Sequence, residues 1–344
     1  MKMKNIINFG ASMLALLALG ACHNSEQEFA DFDYTAVYFA YQSPVRTIVI
    51  GEDIYDTTLD NEHKFMIYAV MGGCYSNDKK VTIDVEVAND LCEDLYFSDG
   101  SPVNYLPADY YTMESDQIIL NKSLNGGVVV QLTDKFFEDP LAIQNSYVLP
   151  LRMVDVTNAD KILEGEAAVD NPYVFETGDW NVAPMNYTLY CVKYINQWHA
   201  NYLRRGVDNI TIGGETTEVV RQEEYVEYDE VCSITTKSYS EALFPVEITD
   251  ANGVSVTCEL TLSFDGDSCT ITTATDNFTA SGTGEFKVDG ELQSWGNEDR
   301  DALYLNYTIN YNDGEVVYNT TDTLVVRDRG VSLETFTPSY EPII

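Results

Sequence analysis

Residues 303–318 read LYLNYTINYNDGEVVY and contain two strand-like runs on either side of Asp313-Gly314. Apolar or aromatic residues occupy every second position from Leu303 to Tyr311, and the alternation resumes after the turn. An alternation of period two is typical of a half-buried β-strand, and an Asp-Gly pair between two such runs is typical of a tight turn. The stretch therefore predicts an antiparallel hairpin with one apolar face.

Similar runs precede this hairpin throughout the C-terminal half of the chain. With the hairpin they make eight predicted strands, at about 199–205, 224–236, 242–248, 254–263, 268–273, 278–288, 302–311 and 315–327. Tight links such as Asn252-Gly253 and Asp289-Gly290 join them. Eight antiparallel strands with one apolar face favour an up-and-down barrel, whose closure removes exposed edges. A second sandwich also fits this pattern.

The N-terminal half has the same period but different spacing. Val81, Ile83, Val85 and Val87 alternate with polar residues, and similar short runs recur between residues 36 and 154. Short strands separated by Gly, Asn, Asp and Pro predict a β-sandwich, which we place at residues 30–158. Residues 159–186 lack this periodicity and are predicted to be a connector, and residues 187–344 form the predicted barrel domain.

The chain begins with a basic and then an apolar segment. Lys2 and Lys4 precede an apolar run at residues 6–19, which ends in Leu19-Gly20-Ala21-Cys22. The run is too short to span a bilayer, and its end resembles the lipobox of bacterial lipoproteins. The resemblance implies that residues 1–21 are a signal peptide and that Cys22 carries the acyl chains that anchor the protein in outer-membrane lipid.

Acidic residues outnumber basic ones by a wide margin. The chain has 56 acidic and 19 basic residues and a formal net charge of −37. A field of this sign repels nucleic acid, so that class of partner is excluded. Residues 22–29 form an acidic tether, and Glu26, Glu28, Asp31 and Asp33 resemble the export signal that sends Bacteroidetes lipoproteins to the outer leaflet. The sequence therefore predicts an outer-membrane lipoprotein that faces the cell exterior.

Six cysteines follow Cys22, and an even number in an exported protein often forms disulfides. If Asp265-Gly266 is the centre of a two-residue hairpin turn, Cys269 is paired with Leu262, and Cys258 lies about four residues further along the ladder. That separation exceeds the bonding range of two thiols. We therefore expect Cys258 and Cys269 to be core residues.

Two stretches resemble a known family. Residues 187–206, YTLYCVKYINQWHANYLRRG, resemble the start of the C-terminal domain of a Bacteroidetes surface lipoprotein family. Residues 106–112, LPADYYT, resemble its N-terminal domain, a module that also precedes the catalytic barrel of some Bacteroides endo-acting N-acetylglucosaminidases. The resemblance implies an all-β protein with an immunoglobulin-like sandwich and an eight-stranded lipocalin-like antiparallel barrel. It also implies a role in a polysaccharide-utilisation system, and Trp198 resembles the tryptophan that closes the base of such a barrel.

Motifs that would identify an enzyme are not evident in the sequence. It contains no obvious Gly-x-Ser-x-Gly elbow or phosphate loop, and neither His63 nor His199 lies in a metal-ligand spacing. With 56 acidic residues, any pair of carboxylates has little weight as evidence for a glycosidase. We therefore predict a non-catalytic protein without a metal or cofactor, and we expect both histidines to have structural roles.

Aromatic residues favour glycan as the ligand. The chain has 24 tyrosines, 14 phenylalanines and three tryptophans, whose flat faces can stack on sugar rings. Trp180 and Trp295 lie in polar segments where an indole can stack on a sugar beside amides and carboxylates, so both are predicted glycan contacts. The alternatives are an adhesin or accessory subunit that docks on other surface glycan-utilisation proteins, and, third, a glycoside hydrolase.

Two further patterns are local. Carboxylates are concentrated in residues 223–230, where Glu223, Glu224 and Asp229 belong to a predicted solvated strand face. Asp322-Thr323-Leu324 resembles the Asp-Thr-apolar acceptor sites for O-glycosylation in Bacteroidetes. Neither pattern identifies a reaction.

Overall fold

The computed structural model describes residues 33–340, so the predicted signal peptide, Cys22 and the acidic tether lie outside the described residues. Thirteen strands precede residue 196: β1 (Ala36–Tyr38), β2 (Pro44–Val49), β3 (Lys64–Gly72), β4 (Lys80–Val87), β5 (Asn104–Tyr105), β6 (Tyr111–Met113), β7 (Gln117–Asn121), β8 (Asn125–Leu132), β9 (Tyr147–Thr157), β10 (Lys161–Ile162), β11 (Glu166–Ala167), β12 (Trp180–Val182) and β13 (Tyr187–Ile195). Within residues 33–340 there are two α-helices, both short: α1 (Thr58–Asn61) and α2 (Asp134–Glu138). In the described part of the chain, no helix is long and apolar enough to cross a bilayer.

The first domain is a sandwich of two sheets. One sheet has the order β10-β1-β3-β8-β6, and the other contains β2-β13-β9-β4-β7, with β5 added beside β9. In β4 the predicted alternation holds as far as Val85, because Val81, Ile83 and Val85 are buried and the residues between them are not, whereas Val87 is exposed. These side chains share one hydrophobic core with Phe65 and Ile67 of the opposite sheet. The predicted sandwich is therefore confirmed.

Strand β13 lies in a different domain from the one predicted. Cys191 is paired in parallel with Val45 of β2, and Leu189 is paired antiparallel with Pro150 of β9. The strand is thus part of the sandwich, whereas the sequence analysis placed residues from 187 onward in the barrel. Strands that are consecutive in the sequence usually pair with each other, but β13 pairs with β9 and with β2, which lie earlier in the chain. The predicted connector also contains three short strands, β10 to β12.

The second domain is a closed antiparallel barrel. Its strands are β14 (Ala200–Ile212), β15 (Glu215–Arg221), β16 (Glu230–Thr236), β17 (Glu241–Thr249), β18 (Ser255–Asp265), β19 (Ser268–Thr273), β20 (Phe278–Glu291), β21 (Arg300–Tyr311) and β22 (Val316–Asp328). Strand β14 pairs with β16 on one side and with β22 on the other, which closes a ring of eight strands and confirms the prediction. A last strand, β23 (Glu334–Thr335), returns to the sandwich and pairs with β2.

Strand β15 was not predicted. It forms a hairpin with the second half of β14 around Gly213-Gly214, where both residues have a positive φ that favours glycine. The inward positions of this half include Gly206 and Asp208, so the apolar alternation that marks a strand is interrupted. The predicted strand at 224–236 is too long, because a 3₁₀ turn occupies Val226–Tyr228 and the observed strand begins at Glu230.

Bulky side chains occupy the middle of the barrel. Tyr202, Phe244 and Tyr307 are almost completely buried there, among aliphatic residues from the surrounding strands. At the base, Trp198 is buried and stacks on Phe264, with 3.6 Å between the ring centroids. The prediction that Trp198 is a core residue is confirmed.

The hairpin between β18 and β19 turns one residue later than predicted. The turn is Gly266-Asp267, so Cys269 is paired with Phe264 rather than with Leu262. Gly266 has a φ of +61°, and glycine at the first central position of a two-residue turn adopts such an angle without a steric penalty. Cys258 and Cys269 are both buried and free, as expected of core thiols.

A network of charged side chains lies inside the barrel and extends to β15. The Asp322 carboxylate accepts hydrogen bonds from Arg204 Nε at 3.1 Å, Arg221 Nη2 at 2.6 Å and the Tyr307 hydroxyl at 2.8 Å. Arg221 Nε also donates to Asp208 at 2.6 Å. Burial alone would raise the pKa of Asp208, but its hydrogen bond with Arg221 contributes to holding that pKa below the usual value. Two arginines and two aspartates therefore compensate one another in the interior.

Arg329 connects the two domains. It is buried just after β22, and all four of its hydrogen bonds go to backbone carbonyls. Its guanidinium donates to Glu52 and Ile50 of the sandwich at 2.6 and 3.1 Å. It also donates to Asn196 and His199, between β13 and β14, at 2.7 Å each. One side chain thus fixes the end of the barrel against the sandwich.

An aromatic contact lies at the same junction. The His63 imidazole packs on Phe137, with 4.2 Å between the ring centroids, and its Nε2 lies 3.1 Å from the Tyr239 hydroxyl. His63 and Phe137 belong to the sandwich, whereas Tyr239 lies in the turn between β16 and β17 of the barrel. The contact gives His63 a structural role at the junction, as expected from the sequence.

We expect His199 to make the protein less stable in mild acid. Its Nδ1 accepts the backbone N–H of Thr236 at 3.0 Å, and burial, together with the positive charge of Arg329, lowers its pKa from 6.5 to about 4. The unfolded chain therefore takes up this proton first as the pH falls. The stability that neutral His199 provides is complete above pH 6.5 and is lost towards pH 4, by at most about 3 kcal/mol.

Urea unfolding of the wild type and of His199→Asn, measured between pH 4 and 7.5, tests this expectation. The asparagine amide oxygen can replace Nδ1 as an acceptor and does not titrate, so the variant should lose less stability over that range. Equal losses of stability in the wild type and in His199→Asn would contradict the assignment of this pH dependence to His199.

Candidate functional site

Trp180 is part of the connector rather than of an open aromatic face. It begins β12, which pairs with β11 as a separate two-stranded sheet. Its indole N–H donates to the carbonyl of Tyr173 at 2.9 Å, and Tyr173 packs edge-on against Phe175. The side chain is half-buried. A sugar could use this N–H only if the internal hydrogen bond were broken.

Trp295 is also held by internal contacts. Its indole N–H donates to the carbonyl of Val326 at 3.1 Å. The Arg300 guanidinium covers one face of the ring, with Cζ 3.8 Å from the centroid, and pairs with Glu298 at 2.6 Å. Trp180 lies in the small β11-β12 sheet and Trp295 in the 3₁₀ turn Trp295–Asn297 between β20 and β21, and their described contacts do not overlap, so the structure does not bring them together. Their role in glycan binding stays a prediction.

A groove lined by acidic residues and by three arginines lies between the two domains near Trp295. Glu52 and Asp53 line it on the sandwich side, and Asp289, Asp299 and Asp301 line it on the barrel side. Its volume of about 170 Å³ is below the range of about 300–1,000 Å³ that is usual for ligand pockets. Within residues 33–340, no group of three or more acidic, histidine or cysteine side chains is arranged to hold a metal ion.

A larger pocket opens on the sandwich, around Tyr105. It has a volume of about 530 Å³ and lies between β5, the 3₁₀ turn Asn89–Cys92 and the 3₁₀ turn Pro140–Ile143. Tyr147 of β9 contributes to its lining, and Leu141 gives it a further apolar wall. We call it the Tyr105 pocket.

The local sequence explains why Tyr105 faces outward. Val103 and Leu106 are buried on either side of β5 and anchor it to the sandwich. Tyr105 pairs in parallel with Val148 of β9 and contributes to the lining of the pocket. As a result, 53% of Tyr105 is exposed. An aromatic ring of this size in the wall of a pocket is accessible to a ligand.

The polar groups of the pocket come from neighbouring turns. Asn89 and Glu93 are exposed at its wall, and the Asn104 amide donates to Ser146 Oγ at 3.2 Å. Burial raises the pKa of the Cys92 thiol to about 12, so this lining residue is neutral and a poor nucleophile at neutral pH. Among the residues that line the pocket, Glu93 is the one acid.

The Tyr147 hydroxyl holds the lining in place. It donates to Asp139 at 2.6 Å, and the Tyr110 hydroxyl donates to the same carboxylate at 2.8 Å. Burial and the bond to Asp139 raise the pKa of Tyr147, so this tyrosine stays protonated at neutral pH. The side of the pocket next to β9 is therefore rigid before any ligand arrives.

These groups can recognise a sugar but lack the usual glycosidase pair. The Tyr105 ring can stack on the apolar face of a pyranose, while Asn89, Glu93 and Asn104 can bond its hydroxyls. A glycosidase of the common type needs two carboxylates on opposite sides of the bond, and Glu93 is the sole carboxylate in this lining. Tyr105 was not predicted as a site residue from the sequence, although it directly precedes the family-like motif at residues 106–112.

The fold and site define a class of two-domain β-proteins with a sandwich followed by a closed barrel. Residues 197–330 match a family model described as a domain of unknown function, DUF5627, and residues 32–160 match one described as an N-terminal domain. A solved structure of a Bacteroides ovatus protein of unknown function is 44% identical, with a TM-score of 0.86. The match covers 90% of this chain and 100% of that chain. The chain therefore belongs to the same family as that protein.

Other comparisons add little. A structure of a candidate carbohydrate-binding protein from Bacteroides ovatus is 12% identical, with a TM-score of 0.27, and the match covers 87% of this chain and 97% of that chain. A likeness at this level carries no argument about fold or ligand. No match to this chain was found among curated proteins.

Proposed function

We propose that this protein is a non-catalytic lipoprotein of the outer membrane that binds glycan in the Tyr105 pocket. The observation that carries the proposal is the exposed Tyr105 ring in an open pocket whose wall has two amides and one carboxylate. A ring beside planar polar groups is suited to a ligand that has both apolar C–H faces and hydroxyls. Binding in a preformed pocket needs little ordering of the protein.

The N-terminal sequence supports the proposed location. If Cys22 carries the lipid, Asp33, where the described part begins, lies eleven positions further along the chain. A chain of that length reaches at most about 40 Å. The sandwich and its pocket would then stay near the membrane surface, where a polysaccharide-utilisation system captures its substrate.

We expect Tyr105→Ala to weaken glycan binding at least about tenfold, because it removes the stacking surface of the pocket. Affinity gels cast with a panel of polysaccharides would identify a ligand for residues 23–344, and calorimetry would then measure its affinity. Tyr68→Ala is a matched control, because Tyr68 is 54% exposed on the other sandwich sheet and Tyr105 is 53% exposed.

Equal loss of affinity in both variants would show that Tyr105 has no special role, and the pocket proposal would fail. If the wild type bound no polysaccharide on the panel, the docking role considered from the sequence would take its place. Turnover of an oligosaccharide that disappears on changing a single carboxylate would contradict the non-catalytic part of the proposal.

A further inference from the structure

Two tyrosines project from the barrel on the segment between β15 and β16. This segment, residues 222–229, is called the tyrosine strap below. Tyr225 is 54% exposed and Tyr228 is 71% exposed. Their rings are nearly perpendicular, at 82°, with 6.0 Å between the centroids. Neither tyrosine is a core residue, because each exposes most of its surface to solvent.

The tyrosine strap is fixed by a buried ion pair. The Asp229 side chain is fully buried, and its carboxylate accepts Arg205 Nε at 2.6 Å and the backbone N–H of Glu223 at 2.8 Å. The 3₁₀ turn Val226–Tyr228 lies between these two anchor points. The conformation that presents the rings is thus held by Asp229, and a ligand would not have to order it.

The tyrosine strap and its flank are rich in exposed carboxylates. Glu223, Glu224, Glu227 and Glu230 are exposed in and beside the tyrosine strap. Carboxylate oxygens can accept hydrogen bonds from sugar hydroxyls, but they repel a uronic acid or a sulfated sugar. The charge around the rings therefore selects against anionic glycans. Tyrosine faces beside such acceptors fit a neutral sugar chain.

We propose that Tyr225 and Tyr228 form a second binding platform, on the barrel, for an uncharged glycan chain. This inference rests on the proposed function, since it takes glycan as the ligand, but it uses a different domain and different residues. One polysaccharide chain held at both the Tyr105 pocket and the tyrosine strap would bind by avidity. The protein would then retain long neutral polysaccharides better than their short fragments.

The test is to count binding sites with a neutral tetrasaccharide taken from the polysaccharide that the protein retains. Calorimetry should give two sites per chain for the wild type, one for Tyr225→Ala/Tyr228→Ala and one for Tyr105→Ala. The matched control is Tyr68→Ala/Tyr75→Ala, whose tyrosines are 54% and 67% exposed, and it should keep two sites. On the intact polysaccharide, the strap variant should lose about 100-fold in affinity.

The outcomes separate this inference from the proposed function. One site that is lost in Tyr105→Ala but not in the strap variant would overturn the inference and leave the pocket in place. One site that is lost only in the strap variant would support the inference and overturn the pocket. Equal binding of polygalacturonate and the neutral glycan would overturn the charge argument. Binding of hexalysine but no sugar to the strap would assign it to a basic protein partner instead.

Discussion

Replacement of Asp322 by alanine is expected to destabilise the protein by about 3–5 kcal/mol. Asp322 is buried, and it receives hydrogen bonds from Arg204, Arg221 and Tyr307 inside the barrel. Without it, Arg221 keeps its bond to Asp208, whereas the ion pair left to Arg204 is with the exposed Glu230, at 3.7 Å. A buried charge that has lost its partner is costly, whatever the net value of the original pair.

Guanidinium chloride unfolding of the purified chain measures this loss. Asp276→Ala is the control, since Asp276 is an exposed acid of the same barrel and its removal should change stability by no more than about 0.5 kcal/mol. The loss of stability in Asp322→Asn should lie between those of Asp322→Ala and Asp276→Ala, because this variant keeps the size of the side chain and loses the charge. A loss below about 1 kcal/mol in Asp322→Ala would show that the arginines find other partners.

The second large effect is expected for Arg329→Met. Methionine fills a similar volume but donates no hydrogen bonds, so the carbonyls of Ile50, Glu52, Asn196 and His199 each lose a donor. Each carbonyl left unsatisfied costs about 1–3 kcal/mol, but water can replace some of the lost donors. We therefore expect the free energy of unfolding to fall by about 3–5 kcal/mol. Because these bonds join the sandwich to the barrel, the two domains should also unfold less cooperatively.

Differential scanning calorimetry separates these effects. The wild type should show one transition, and Arg329→Met should show two, or a clearly broadened one, at lower temperature. Arg327→Met is the control, because Arg327 lies two residues away, is exposed and pairs only weakly with Asp328 at 3.6 Å. A single transition in Arg329→Met with an unchanged Tm would mean that other contacts hold the junction.

The parts of the fold with clear alternation could be predicted from the sequence. In the hairpin around Asp313-Gly314, the apolar face predicted for Leu303, Leu305 and Ile309 is buried in the barrel. Where the barrel interior is polar, prediction failed. Asp322 is an example, because its sequence context resembles a surface glycosylation site, whereas its side chain is enclosed within the barrel.

Domain membership was harder to predict, because it depends on partners rather than on pattern. Strand β13 is apolar and strand-like, as expected, but its pairing with β2 involves residues far apart in the chain. No local feature of residues 187–195 contains that information. The alternation of a strand shows that it has a buried face, but not which sheet covers it.

The candidate site depends most on packing that the sequence does not show. Trp180 and Trp295 were chosen because tryptophan in a polar segment is unusual, yet both indole N–H groups are bonded to backbone carbonyls. Tyr105, Tyr225 and Tyr228 were not distinguished from the other tyrosines of the chain, because a tyrosine in the core and one at the surface look alike in sequence. Only the packing around each ring shows which of them is exposed.

The return of the chain to the sandwich has a consequence for how the protein is made. Glu334 of β23 is paired with Val45 of β2, and just beyond it Phe336 packs on Phe97, with 4.9 Å between the ring centroids. The barrel is therefore inserted in the sequence of the sandwich. During synthesis, which proceeds from the N-terminus, the outer edge of β2 stays open until residues 334–335 emerge. The sandwich, which is synthesised first, is therefore the last domain to be completed.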